Sequence, residues 1–186
     1  MQATHLPVRA ATRTVAPTFK PVTLAEAKKQ LEIAAEVNHH DEHIERLIEI
    51  ATDTVENDTG RVFCTSTWTY KLDAFPEVIE LPKRPVASVS SIVYLDTLNQ
   101  SQAWSSANYS LDSTRVWPVV LKGKDVDYPD VYDHWSPITI TFVAGYAATA
   151  IPAMAKQLIL LSISQMFTDR GDSSKPMDGE AYERMM

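Results

Sequence analysis

An α+β fold is what the sequence predicts, with helices toward both ends and an antiparallel β insertion between the second helix and the last. Three observations carry this. Residues 41–60 (DEHIERLIEIATDTVENDTG) repeat apolar side chains at helical spacing, with Ile44, Leu47, Ile48, Ala51 and Val55 on one face. From Trp68 the period becomes two, Trp68, Tyr70 and Leu72 alternating with Thr67, Thr69 and Lys71 as in a half-buried strand. Beyond Pro152 a helical run returns, rich in Leu and Ile.

In chain order, residues 1–20 read as a basic, flexible arm, with Arg9, Arg13 and Lys20 and no acid. Thr23-Leu24-Ala25-Glu26 is a capping box that opens a first helix. Leu24, Ala27 and Leu31, joined by Ala34 or Ala35, form its stripe, and it ends near Ala35. The second helix follows with Asp41 at its N-cap and Gly60 as its closing left-handed residue, so that residues 21–64 form a helical hairpin. Residues 65–150 hold the strands. These are expected at Thr67–Leu72, Val78–Leu81, Val86–Leu95 (the longest), Gln102–Trp104, Tyr109–Leu111, Val116–Leu121 with Pro118 weakening its middle, and Ile138–Ala144. Short strands broken by frequent turns suggest a small sheet or sandwich. A last helix spans Pro152 to about Arg170, apolar nearly all round, which requires its own domain or a neighbouring subunit to cover it. Residues 171–186 read as a flexible tail.

Composition narrows the chemistry. A chain of 186 residues with 45% hydrophobic and 22% charged residues is sized for one folded domain. No signal-peptide or membrane-length apolar run is visible, and synthesis in a reducing cytoplasm is expected. The lone Cys64 excludes an intrachain disulfide and reads as a small buried side chain. Net charge is −7, concentrated in residues 21–64, which hold ten acids against four bases. Such a region is a poor surface for gripping duplex DNA. No nucleotide-binding glycine loop, nucleophile elbow or zinc-protease motif occurs. His39 and His43 stand four apart and could share a metal on a continuous helix, but His39 precedes the cap, so solvated loop residues are the preferred reading. Glu45, Glu49, Asp53 and Glu56 are placed on a solvated acidic face rather than in catalysis, which would need burial to shift their proton affinity. Trp104, Tyr109, Trp117, Tyr128, Tyr132 and Trp135 are interleaved with few bases, so a sheet core or protein interface is preferred to base stacking. No enzyme activity, cofactor or metal site is expected.

The order of the pieces resembles the head–tail connector (adaptor) proteins of tailed bacteriophages and gene-transfer particles. The resemblance covers residues 21 to about 170. It is carried by Pro21-Val22-Thr23-Leu24-Ala25-Glu26-Ala27-Lys28, by Asp41-Glu42 opening the second helix, and by Glu56 to Arg61 (ENDTGR) closing it. Thr67-Trp68, Leu81-Pro82 with Pro85-Val86, Ser88-Val89, Ser91-Ile92 and Tyr94-Leu95-Asp96 follow. Ile140-Thr141-Phe142 and Ala144-Gly145-Tyr146 then lead to Ile151-Pro152.

This resemblance implies a three-helix core, made of the two N-terminal helices and the C-terminal one, with the strands inserted between. It implies a homo-oligomeric ring of about twelve copies in the virion at the head–tail junction. The ring would lie between the portal and the tail or a head-completion (stopper) protein, with DNA passing through without sequence-specific binding and no membrane involved. Candidate interface residues are Glu45, Glu49 and Asp53 on the second helix, and Leu158, Leu161 and Phe167 on the last. Arg170, Lys175, Tyr182 and Arg184 in the tail complete the set, the tail being favoured for the portal. Alternatives are another neck component, such as a head-completion or tail-terminator protein, and a small metal-dependent hydrolase using His39 and His43. The arm, the HHDEH stretch and the long acidic loop Lys122 to Ser136 depart from the family pattern, and the loop is a candidate contact surface.

Overall fold

Residues 11–169 are described by a computed structural model, whose elements are those of an α+β protein with three α-helices and two antiparallel sheets. They form two compact units. One is helical and takes Val22–Val55 with the described chain from Pro152; the other holds the strands and takes the described chain up to Pro21 together with Glu56–Ile151.

In the helical unit, α1 (Leu24–Gln30) opens on the anticipated capping box. The Glu26 amide donates to Thr23 Oγ1 and the Thr23 amide to Glu26 Oε2 at 2.7 Å, satisfying two orphan donors. The helix is shorter than the expected end near Ala35. Glu32 enters the left-handed region at φ 57°, the Glu32 amide donates to the Lys29 carbonyl and the Ile33 amide to that of Lys28. This is a Schellman closure built without glycine. Ala34 and Ala35 are therefore exposed, and Lys28 is buried on the helix beside Ala27. Lys28 Nζ donates to the Ala35 carbonyl and Asn38 Oδ1 and pairs with Asp41 Oδ1 at 2.6 Å, which fixes the α1–α2 connection.

Helix α2 (Asp41–Thr59) buries Ile44, Leu47, Ile48, Ala51 and Val55 as its periodicity requires. Asp41 is its first residue rather than its N-cap: the Ile44 amide bonds the His40 carbonyl, and the Asp41 carboxylate is taken by Lys28. Helix α3 (Ala153–Thr168) has Pro152 as its N-cap and buries Ala155, Ile159 and Ile163. It touches α1, where Lys156 Nζ meets Glu26 Oε1 at 3.4 Å.

In the β unit, β1 (Thr12–Val15), β2 (Ser66–Leu72), β4 (Val86–Leu95), β5 (Ser101–Trp104) and β8 (Ile138–Ala144) form a sheet in the order β1-β2-β8-β4-β5. The smaller sheet is β3 (Ile79–Glu80), β7 (Val119–Lys122) and β6 (Tyr109–Asp112), ordered β3-β7-β6. The longest strand and β8 have the expected bounds, and β7 begins only after Pro118, which has no amide to donate to a ladder. Alternate residues of β2 and β8 are buried in one core with Ile79, Leu81, Ile92 and Val120.

The arm reading needs a correction at Thr12–Val15. This segment pairs with β2 across Thr12↔Thr69 and Arg13↔Trp68, supplying partners to backbone groups that an uncovered β2 would expose. Residues 1–10 lie outside the described residues.

Candidate functional site

What each unit leaves uncovered is its candidate site. On the helical unit, Glu45, Glu49 and Asp53 are exposed on α2, as expected, with Ile50 among them. Glu56 is the exception to the acidic face. It is only 5% exposed, its Oε1 accepts the Phe63 amide at 2.6 Å, and its Oε2 pairs with Arg13 at the same distance. A carboxylate turned inward at the last turn of α2 thus holds both the chain leaving the helix and β1. The helix end itself is closed by Gly60 at φ 63° and by Arg84, whose Nη2 donates to the Thr59 carbonyl at 2.9 Å, where the helix dipole favours a cation.

On α3, the apolar residues that fail to find the interior are Met154, 73% exposed, and Leu161, 40% exposed; Leu158 is half-buried. Phe167 is half-buried too, with the His40 ring edge-on at 5.7 Å and the His43 ring at 6.0 Å, while His39 lies 3.9 Å from His40. His43, expected in solvent, therefore packs on an aromatic ring, as does His40. Among the described residues no group of three or more His, Cys, Asp or Glu is placed to hold a metal, and no helix is long and apolar enough to cross a membrane. Cys64 is buried. Arg170, Lys175, Tyr182 and Arg184 lie outside the described residues.

On the β unit the aromatics divide. Trp104, Tyr109 and Tyr128 join Phe75 in a cluster, Phe75 stacking on Tyr128 at 4.7 Å and Trp104 on Tyr109 at 5.4 Å. Burial raises the hydroxyl pKa of Tyr109 and Tyr128, with the Glu77 charge adding at Tyr128; burial and then Glu80 do the same at Tyr70. Trp135 stands apart from the cluster, 79% exposed on the long acidic loop.

A cationic patch that sequence reasoning did not anticipate gathers at the other end of the strands. Arg61 and Arg84 meet in a backbone bridge, Arg84 lies 4.4 Å over the Trp117 ring, and Lys83 and Arg13 lie over Trp68 at 4.9 and 4.8 Å. The available signal was Gly60-Arg61 and Lys83-Arg84-Pro85, two basic turns in an acidic chain.

The family model described as "Phage gp6-like head-tail connector protein" matches residues 21–116. No curated protein matches the chain. Among solved structures, a chain in the virion of a native gene transfer agent (GTA) particle aligns with TM-score 0.76 at 19% identity, over 92% of this chain and 90% of that one. Chains from the neck of the empty GTA particle, computed with C6 symmetry, and of the native one, computed with C12 symmetry, align with TM-scores of 0.77 and 0.73 at 20% and 19% identity over the same shares. At such identities these matches establish the shared fold.

Proposed function

Because this chain belongs to the phage gp6-like head–tail connector family, we propose that it forms a homo-oligomeric ring in the neck of a tailed phage or phage-like particle, beneath the portal. Its task there is assembly rather than catalysis. The solved neck structures that share its fold were computed with C6 and C12 symmetry, which supports a cyclic arrangement.

The observation that carries the reading is α3. Its buried side is satisfied by Ala155, Ile159 and Ile163, yet Met154 and Leu161 remain in solvent on the same helix. A neighbouring subunit covering them removes apolar surface from water. Exposed Glu45, Glu49 and Asp53 on α2 suit a channel wall, because like charge keeps phosphates from sticking as DNA passes. The segment 171–186 is assigned to the portal.

Leu161→Asp separates assembly from folding better than Leu158→Asp, since Leu161 is the more exposed. Sedimentation of the full chain with purified portal protein should show the Leu161→Asp subunit folded but no longer ring-forming. Deleting residues 171–186 should weaken portal binding without unfolding the subunit. Normal rings from Leu161→Asp remove α3 from the subunit contact, and unchanged portal affinity after the deletion removes the tail from the portal. Binding to tail protein but not to portal would move the chain to the other side of the neck.

A further inference from the structure

We propose that the Trp135 loop of one copy docks on the cationic patch around Arg61, Lys83 and Arg84 of the next copy, giving the ring a head-to-tail contact; this rests on the ring reading above. The two surfaces occupy opposite ends of the same sheet. Strand β8 begins at Ile138, paired with Leu72 and Tyr94, and ends at Ala144, paired with Ser66 and Val86. Trp135 precedes the first end by three residues. At the second end Arg84 leads into β4, and Arg61 Nη1 donates to the Tyr146 hydroxyl at 2.7 Å. Seven residues of strand separate them, roughly 20 Å at the antiparallel rise. The loop of one copy therefore cannot cover its own patch, and a contact that joins opposite ends of identical subunits is heterologous, the kind that closes rings.

Trp135 is presented on a braced loop. The following Ser136, at φ 60°, donates its amide to Asp73 Oδ1 at 2.7 Å, and the Tyr132 amide donates to the Leu95 carbonyl at 2.9 Å. A braced backbone beside a large exposed aromatic reduces the loop freedom lost on docking, which favours an interface anchor. The loop also exposes Asp125, Asp127, Asp130 and Asp133, none in an ion pair among the described residues. The patch is their complement. Among the described residues Arg61 and Lys83 have no carboxylate partner, and Val116, 71% exposed, with the half-covered Trp117 offers an apolar floor. Opposite charges steer the encounter and set its direction, while Trp135 supplies the apolar burial.

The test is cross-linking in assembled particles. The full chain carrying both Asp133→Cys and Lys83→Cys, treated with a short bismaleimide, should give a ladder of covalent oligomers, and neither single variant should. The native Cys64 is buried and does not interfere. Trp135→Ala should keep its melting temperature and weaken self-association at least about tenfold, as expected of an interface anchor. Dimers from Asp133→Cys alone would mean that loop meets loop, and cross-linking to a different neck protein would mean that the loop faces that partner; either overturns the proposal. So does unchanged self-association of Trp135→Ala. If a general amine cross-linker yields wild-type oligomers while the double variant yields none, this contact falls and the ring stands. If the wild type yields none, the ring reading falls and takes the contact with it.

Discussion

The helical and β units are stabilised in contrasting ways. In the helical unit the buried side chains, Lys28 apart, are aliphatic and recur along a face, and its termini are closed by local bonds such as the Thr23–Glu26 box and the Glu32 turn. In the β unit the holding interactions join distant residues: Arg13 to Glu56, the Ser136 amide to Asp73, the Phe75–Tyr128 stack. The uncovered apolar residues differ in the same sense. On the helices they lie within regular elements, at Ile50, Met154 and Leu161, whereas in the β unit Val15 lies in a strand and Val78, Leu98, Val116, Trp117 and Trp135 sit in loops. A repeated local device tolerates the loss of one member. A single long-range tie does not.

The largest expected effect tests that contrast directly. Gly145 has φ 113°, and a Cβ there would run into the Cys64 carbonyl and approach the Thr65 amide nitrogen at 2.8 Å. Backbone must move, so Gly145→Ala should cost about 3 kcal/mol or more in denaturant unfolding. Glu56→Ala comes next. It leaves the Phe63 amide and the Arg13 guanidinium without their buried acceptor, at about 2–4 kcal/mol, and should speed hydrogen exchange in β1. Thr23→Ala removes one half of a cap and should cost only about 1 kcal/mol. Equal losses for Thr23→Ala and Gly145→Ala would break the comparison.

Acid provides the smallest and finest probe, with one site in each unit. The bond from the Thr23 amide holds the Glu26 carboxyl below its usual pKa, and bonds from the Gln100 amide, the Gln102 side chain and the Leu98 amide do so for Asp96 in the β4–β5 turn. With folded values depressed, both contributions are complete above the unfolded pKa values, about 4.3 and 3.9, and are lost as the pH falls through the folded ones. Protection of the Thr23, Leu98 and Gln100 amides, relative to their intrinsic exchange rates, should therefore fall below about pH 4, before either unit unfolds. No acid dependence at these amides would mean that the carboxylates contribute nothing to these turns.

Much of the fold was legible because its signals are local. The α2 stripe, the capping box, Gly60 and the bounds of β4 and β8 follow from periodicity and cap chemistry within a few residues. The early end of α1 was not legible, since Glu32 takes a left-handed conformation that usually announces itself as glycine. Of the candidate site, Glu45, Glu49 and Asp53 are exposed as read, whereas Leu161 lies outward and Leu158 only partly so, a distinction that an all-round apolar helix hides.

What the sequence by itself established is the α+β class, the succession of elements, the buried face of α2 and the pattern shared with the connector family, because each rests on residue order alone. Tertiary structure alone decided that Thr12–Val15 completes a sheet, that Glu56 turns inward, and that two histidines pack on Phe167. It also decided that an exposed tryptophan and a cationic patch stand at opposite ends of β8. Those outcomes depend on which segments meet across tens of residues, such as the 43 between Arg13 and Glu56. Burial and pairing are then set by the partner surface rather than by the side chain's own polarity.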